Sequence, residues 1–149
     1  GYYDNTIFIL TADHVSGFAS KASDVPSMHH VPLLIIAPGL KPGRAARTGG
    51  QVDVIPTLAQ LAGWRSPQAS LGHSLLDTRP DPARGTLCVR GNLIGRIEGN
   101  HWVTHDLRRR VSASLGMQEE EARAMEERLL AMYQVGHTLL LHNRITPLD

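Results

Sequence analysis

Cysteine is almost absent from this chain of 149 residues: Cys88 is the single one. One thiol excludes an internal disulfide and a zinc cluster built on cysteines. An excess of either charge is also lacking, with 15 basic residues against 14 acidic ones. That balance argues against nucleic acid or an anionic membrane surface as the main partner. No apolar run approaches the roughly 18 residues needed to cross a bilayer. There is no internal repeat and no low-complexity tract. The chain opens at Gly1-Tyr2-Tyr3-Asp4, without a methionine or a basic leader, and passes almost at once into an apolar run. The expectation is a piece of a longer protein whose length suits one domain with a real core.

That apolar run, Thr6-Ile7-Phe8-Ile9-Leu10, continues through Thr11-Ala12 into Asp13-His14. A continuous run of β-branched and apolar residues predicts a strand buried on both faces, as in a parallel sheet. In open α/β sheets ligands gather at the carboxyl ends of strands, where Asp13 and His14 fall. A carboxylate and a neutral imidazole are both ligands for divalent metals. The residues leave a second reading open, in which Asp13 caps a turn and His14 lies on the surface. The stretch from Val15 to His30 reads as a long loop carrying Lys21, Asp24, His29 and His30, and loops of this length often carry function.

Val31 to Ala37 predicts a second buried strand, stopped by Pro38-Gly39. Lys41, Arg44 and Arg47 read as solvated charges. Val52 to Ala62 predicts a helix, with Asp53 as N-cap, Pro56 in the first turn and Gly63 at C′. His73 lies in a turn, Leu71 to Leu76, and reads as structural. Thr86–Arg90, Leu93–Glu98 and His101–His105 are three short strands separated by Gly91-Asn92 and Gly99-Asn100, the pattern of an antiparallel meander. Arg108-Arg109-Arg110 reads as a solvated exit. Gln118 to His142 predicts a long helix, with Glu119, Glu120 and Glu121 at its positive end and an apolar stripe through Met125, Leu129, Met132, Tyr133, Leu139 and Leu140 that suits docking on the sheet. Gly136 marks a break or a close helix contact.

Four blocks in this order resemble the alkaline-phosphatase-like superfamily, which includes sulfatases and phosphoglycerol or phosphoethanolamine transferases. They are Asp4-Asn5-Thr6 leading into Thr11-Ala12-Asp13-His14, the stretch His30 to Gly39, the stretch Gly50 to Gly63, and Leu71-Gly72-His73-Ser74-Leu75. The third block is most similar to lipoteichoic-acid-synthase-like proteins. The resemblance implies an α/β fold, the C-terminal part of an alkaline-phosphatase-like sandwich: parallel strands with a helix, then a small antiparallel meander and a long C-terminal helix. Residues 1–76 would hold the core strands, site loop and helix, residues 86–105 the meander, and residues 118–142 the last helix.

By the same resemblance, Asp13 and His14 bind a catalytic divalent metal (manganese, magnesium, zinc or calcium). His30 contacts the phosphate or sulfate group, with His29 as the alternative, and Lys21 is a further oxyanion contact. The family mechanism is covalent: a threonine, or in sulfatases a modified cysteine or serine, attacks phosphorus or sulfur. That nucleophile and the remaining acidic ligands lie upstream of the Asp-His strand in the family. Thr6 and Thr11 belong to the strand itself, and Cys88 lacks the context for modification. The chain is therefore expected to be inactive alone and to need the N-terminal half of the catalytic domain as its partner. The exposed apolar surface left without that half predicts self-association of the isolated chain. The resemblance places the parent in a bacterial inner membrane, with its catalytic domain outside the cytoplasm and a phosphate- or sulfate-ester substrate. Two other readings stay open: an arylsulfatase-like hydrolase, which an upstream Cys/Ser-x-Pro-x-Arg motif would favour, and a non-enzymatic α/β interaction module.

Overall fold

The computed structural model describes residues 1–15, 24–45, 47–65, 70–79, 81 and 84–144. Two compact units divide at residue 45, Gly1–Ala45 and Ala46–Asp149.

In the first unit β1 (Phe8–Thr11) pairs with β2 (Leu33–Ile36), Phe8 opposite Ile36 and Thr11 opposite Leu33. The pairing is antiparallel, which corrects the parallel arrangement expected from the apolar runs. A continuous run of Ile, Leu and Phe has the same composition in either direction, so only tertiary pairing decides the sense. The stretch expected to be loop contains a helix, α1 (Val25–His29). Asp24 caps it: one carboxylate oxygen accepts from the Ser27 backbone N–H and the other from the Ser27 hydroxyl, both at 2.9 Å. Burial of the strands on both faces is also corrected. Phe8, Leu10, Leu34 and Ile36 alternate onto one face and are 41, 53, 54 and 38% exposed.

In the second unit a 3₁₀ turn (Gln51–Asp53) leads into α2 (Val54–Leu61). Gly63 sits at φ +66° in the C′ position. The Gly63 N–H donates to Gln60 O and the Trp64 N–H to Ala59 O, which completes a Schellman cap. Four antiparallel strands follow in meander order: β3 (Thr86–Arg90), β4 (Leu93–Glu98), β5 (His101–His105) and β6 (Arg110–Ala113). Gly91 and Gly99, first in their two-residue turns, take positive φ as a type II′ hairpin requires. Arg108 and Arg109 are exposed in the turn after β5, as expected of a solvated exit, whereas Arg110 is half-buried and opens β6. Asp106 builds the turn before it by accepting the Arg108 and Arg109 N–H groups at 2.8 Å each.

The helix α3 (Glu119–Leu141) lays Ala122, Met125 and Leu129 on Ile94 and Val103 to form the core. The helix runs unbroken through Gly136, where an added Cβ would stand 2.9 Å from the Leu71 side chain, so the residue marks a close contact. Charged groups line the same interface. The Glu98 carboxylate accepts from buried Arg96 and from Arg128, the latter at 2.8 and 2.9 Å. Buried His105 donates from Nε2 to Glu126 at 3.1 Å, since its Nδ1 accepts the Leu107 N–H. Arg110 bridges Glu126 and Glu119.

Hydrogen bonds from the Arg109 and Arg108 N–H groups hold Asp106 below its ordinary 3.8, and the bond from Arg110 holds Glu119 below its ordinary 4.5. A carboxylate with a depressed folded pKa stabilises the fold above its ordinary value and loses that contribution as pH falls through the depressed one. The melting temperature is therefore expected to drop below about pH 4. Calorimetry across that range checks it. Asp106→Asn keeps an acceptor for both N–H groups without titrating, so it should shrink the drop; an acid limb identical to wild type counts against this assignment.

Candidate functional site

The chain leaves β1 at Thr11 and enters β2 at Leu33, and these two residues are register partners. The antiparallel sense therefore places Asp13-His14 and His30 at the same end of the sheet. A parallel pair would have put them at opposite ends. Asp13 and His14 are both exposed. The Asp13 carboxylate accepts the His14 N–H at 2.8 Å, which turns the acid toward its neighbour. His14 Nδ1 lies 2.9 Å from Val15 O. A carbonyl only accepts, so Nδ1 carries the proton and Nε2 is left as the free ring nitrogen. Nε2 stands 3.6 Å from the second Asp13 oxygen. The Val15 carbonyl and then the Asp13 charge push the His14 pKa up.

Two ligands of one small divalent ion, each about 2.0–2.2 Å from it, lie roughly 3–3.5 Å apart. The Asp13–His14 pair is close to that spacing. The bond from Nδ1 to the Val15 carbonyl fixes the orientation of the ring. Among the described residues no group of three or more potential metal ligands is assembled.

His30 ends α1, takes an extended conformation and is exposed, whereas His29 is half-buried in the last helical turn. Lys21 lies outside the described residues. Cys88 lies half-buried on β3, and burial pushes its thiol up to about 11.

A structural hub in the second unit was only partly legible in the sequence. Asp53 was expected as the N-cap of α2, but its side chain makes no capping hydrogen bond to that helix. Its buried carboxylate accepts the Gly50 N–H at 2.8 Å and also the His73 N–H, twenty residues away, at 2.7 Å. The fully buried Thr57 hydroxyl donates to Asp53 O and accepts the Leu75 N–H. A Cβ on Gly72 would stand 2.1 Å from Val52 O, so only glycine allows this approach of two backbones. The Gly50–Gly63 and Leu71–Leu75 blocks are thus one packed assembly. Arg47, expected as a solvated charge, is half-buried and donates to Asp77 O.

Residues 1–64 match the sulfatase family model. The chain is 36% identical over 78 residues to arylsulfatase K of Canis lupus familiaris, covering 48% of this chain and 15% of that protein. It is 36% identical over 84 residues to the Delta 4,5-hexuronate-2-O-sulfatase of Bacteroides thetaiotaomicron, covering 50% and 18%. A crystal structure of an alkaline phosphatase superfamily protein from Vibrio parahaemolyticus superposes with a TM-score of 0.75 at 22% identity. It covers 99% of this chain and 38% of that one, and it shows that the fold is the α/β fold of that superfamily. The chain spans less than a fifth of the length of the sulfatases it matches.

Proposed function

We propose that this chain is part of the catalytic domain of a metal-dependent sulfuric-ester hydrolase, in which Asp13 and His14 are metal ligands and His30 contacts the transferring oxyanion. The observation that carries this reading is the paired Asp13 carboxylate and His14 Nε2 at the end of β1, inside the segment matching the sulfatase family. A divalent ion held there supplies charge neutralisation for the sulfate group and lowers the pKa of an attacking nucleophile. Asp13 contributes the negative charge, and the Val15 carbonyl fixes the imidazole so that Nε2 faces the same side. The nucleophile and the remaining acidic ligands are assigned to the rest of the domain. Sulfate is preferred over phosphate because the relatives cited above are sulfatases. The lipoteichoic-acid-synthase-like phosphotransferase is the second reading, supported by the form of the Gly50–Gly63 block.

Two measurements test the proposal. Calorimetric titration of this chain with manganese is expected to show weak binding that Asp13→Asn abolishes. The domain extended to full length is expected to hydrolyse an aryl sulfate faster than an aryl phosphate. It should lose about 10³-fold in kcat/KM on the same substitution, the size of a several-kcal/mol electrostatic contribution. Preference for the phosphate ester would favour the second reading. Full activity in the Asp13→Asn enzyme would overturn the ligand assignment.

A further inference from the structure

The turn between β5 and β6 holds a strained residue. Leu107 sits at φ +70°, in the left-handed region that costs any residue with a Cβ. Its side chain is 52% exposed, so packing of that side chain does not keep it there. Its N–H is held instead, donating to His105 Nδ1 at 2.8 Å.

His105 is the last residue of β5, is 4% exposed and lies at a shift in the β5–β6 register. Because Nδ1 accepts, the ring proton is on Nε2, 3.1 Å from Glu126 Oε1 on α3. One lone pair of a titratable ring thus fixes the conformation of Leu107. The other bonds of the turn do not use that ring. The Asp106 carboxylate accepts the Arg108 and Arg109 N–H groups, and the Asp106 N–H donates to Arg109 O at 3.2 Å. These bonds involve neither the Asp106 C=O nor the Leu107 N–H.

The surrounding charges can accommodate an imidazolium. Glu126 from α3 faces Nε2, and Asp106 in the turn interacts with the ring electrostatically. Arg110 at the start of β6 opposes them, but it is paired with Glu126 and Glu119. Arg109 adds positive charge beside Asp106. From β4 the residue opposite His105 is the uncharged Ile94.

An imidazolium has a proton on both nitrogens and accepts at neither. With Nδ1 protonated, its N–H and the Leu107 N–H would point at each other. In a trans peptide the C=O lies on the opposite side from the N–H, so the Asp106 carbonyl now points away from the ring. Turning this one plane over brings the carbonyl to Nδ1. It changes ψ of residue 106 and φ of residue 107 together, as between type I and type II turns, and takes Leu107 out of the left-handed region.

We propose that His105 is a proton-operated switch of the β5–β6 turn. A proton taken from solvent at Nδ1 breaks the Leu107 N–H bond, the 106–107 peptide plane flips, and the Asp106 carbonyl accepts the new Nδ1–H. The sheet and α3 stay in place, because Nε2 keeps Glu126 in both states. The exposed side of the turn, beside Arg108 and Arg109, exchanges a carbonyl for an N–H. The switch depends on neither the metal nor catalysis.

NMR of the full chain from about pH 8 to about pH 4.5 tests it, a range that covers ordinary imidazoles. Ring nitrogen shifts report the proton on His105. The N–H to Hα cross-peak within Leu107 reports φ, because those atoms are closer at positive φ. That cross-peak is expected to weaken several-fold, with the same midpoint as the ring. His105→Asn puts an amide oxygen in the place of Nδ1 without a titrating group, so Leu107 should stay at positive φ at every pH. Glu126→Gln removes the carboxylate facing the ring and should lower both midpoints together by about one pH unit. A protonated His105 with Leu107 still at positive φ would overturn the proposal. So would a ring that stays neutral across the range in the folded chain, or midpoints of ring and turn that separate in Glu126→Gln. The titration of the unaltered chain decides the matter even where a variant fails to fold.

Discussion

Glu98→Ala is expected to destabilise the second unit by about 3–5 kcal/mol, the cost of removing one partner from a buried ion pair. The Glu98 carboxylate accepts from Arg96 within the sheet and from Arg128 on α3. Side-chain exposures of 6% for Arg96 and 10% for Glu98 leave little solvent to screen the loss. Arg96 also donates to Met132 Sδ at 3.3 Å, a weaker acceptor than a carboxylate. Single domains are stable by only about 5–15 kcal/mol, so the variant should melt far below wild type or fail to fold. Arg128→Ala should cost much less, because Arg128 is more exposed and Glu98 keeps Arg96. Replacing Arg96 by Met and Glu98 by Leu together should recover much of the loss, since exchange of a buried pair for apolar groups is often neutral. Urea denaturation of the three proteins checks the order. Equal losses for Glu98→Ala and Arg128→Ala would show that the pair is effectively solvated.

The second large effect concerns oligomeric state. At concentrations of tens to hundreds of micromolar the isolated chain is expected to self-associate through the β1–β2 sheet. Phe8, Leu10, Leu34 and Ile36 form an exposed apolar face, and a two-stranded sheet has little stability of its own. Burying a large apolar side chain contributes about 1.5–3 kcal/mol, so four offer of the order of 6–12 kcal/mol before the cost of association. Leu10 and Leu34 are directly opposed. Leu10→Lys with Leu34→Glu therefore introduces a favourable cross-strand pair while removing half of the apolar face. Sedimentation velocity should show a concentration-dependent wild type and a monomeric variant. A wild type that stays monomeric at 200 µM, on the order of the highest concentration needed for a weak contact, would refute this.

The elements that depend on local chemistry were legible in the residues. Alternation and Gly-Asn turns located β3, β4 and β5, and Gly63 ended α2 because a C′ residue at positive φ favours glycine. The strand β6 was not legible, because Arg110-Val111-Ser112-Ala113 is too short for alternation to emerge from the arginine run. Helix α1 was hidden by its length of five residues, too few for a period, although Asp24 and Pro26 are its start signals. The Asp-His pair was visible as chemistry, but its orientation by Val15 O is a matter of conformation.

The sequence by itself determined which residues could act: one acid and one imidazole at a strand end, a histidine before the next strand, and a thiol without a nucleophile's context. Tertiary structure decided how they are arranged. The antiparallel sense of β1 and β2 brings Asp13-His14 and His30 to one end, because pairing direction depends on the backbone ladder and not on side-chain composition. It also decided that Asp53, a plausible cap, is the anchor of a turn twenty residues away. A carboxylate's local preference sets its first hydrogen bond, and only the folded chain supplies the second.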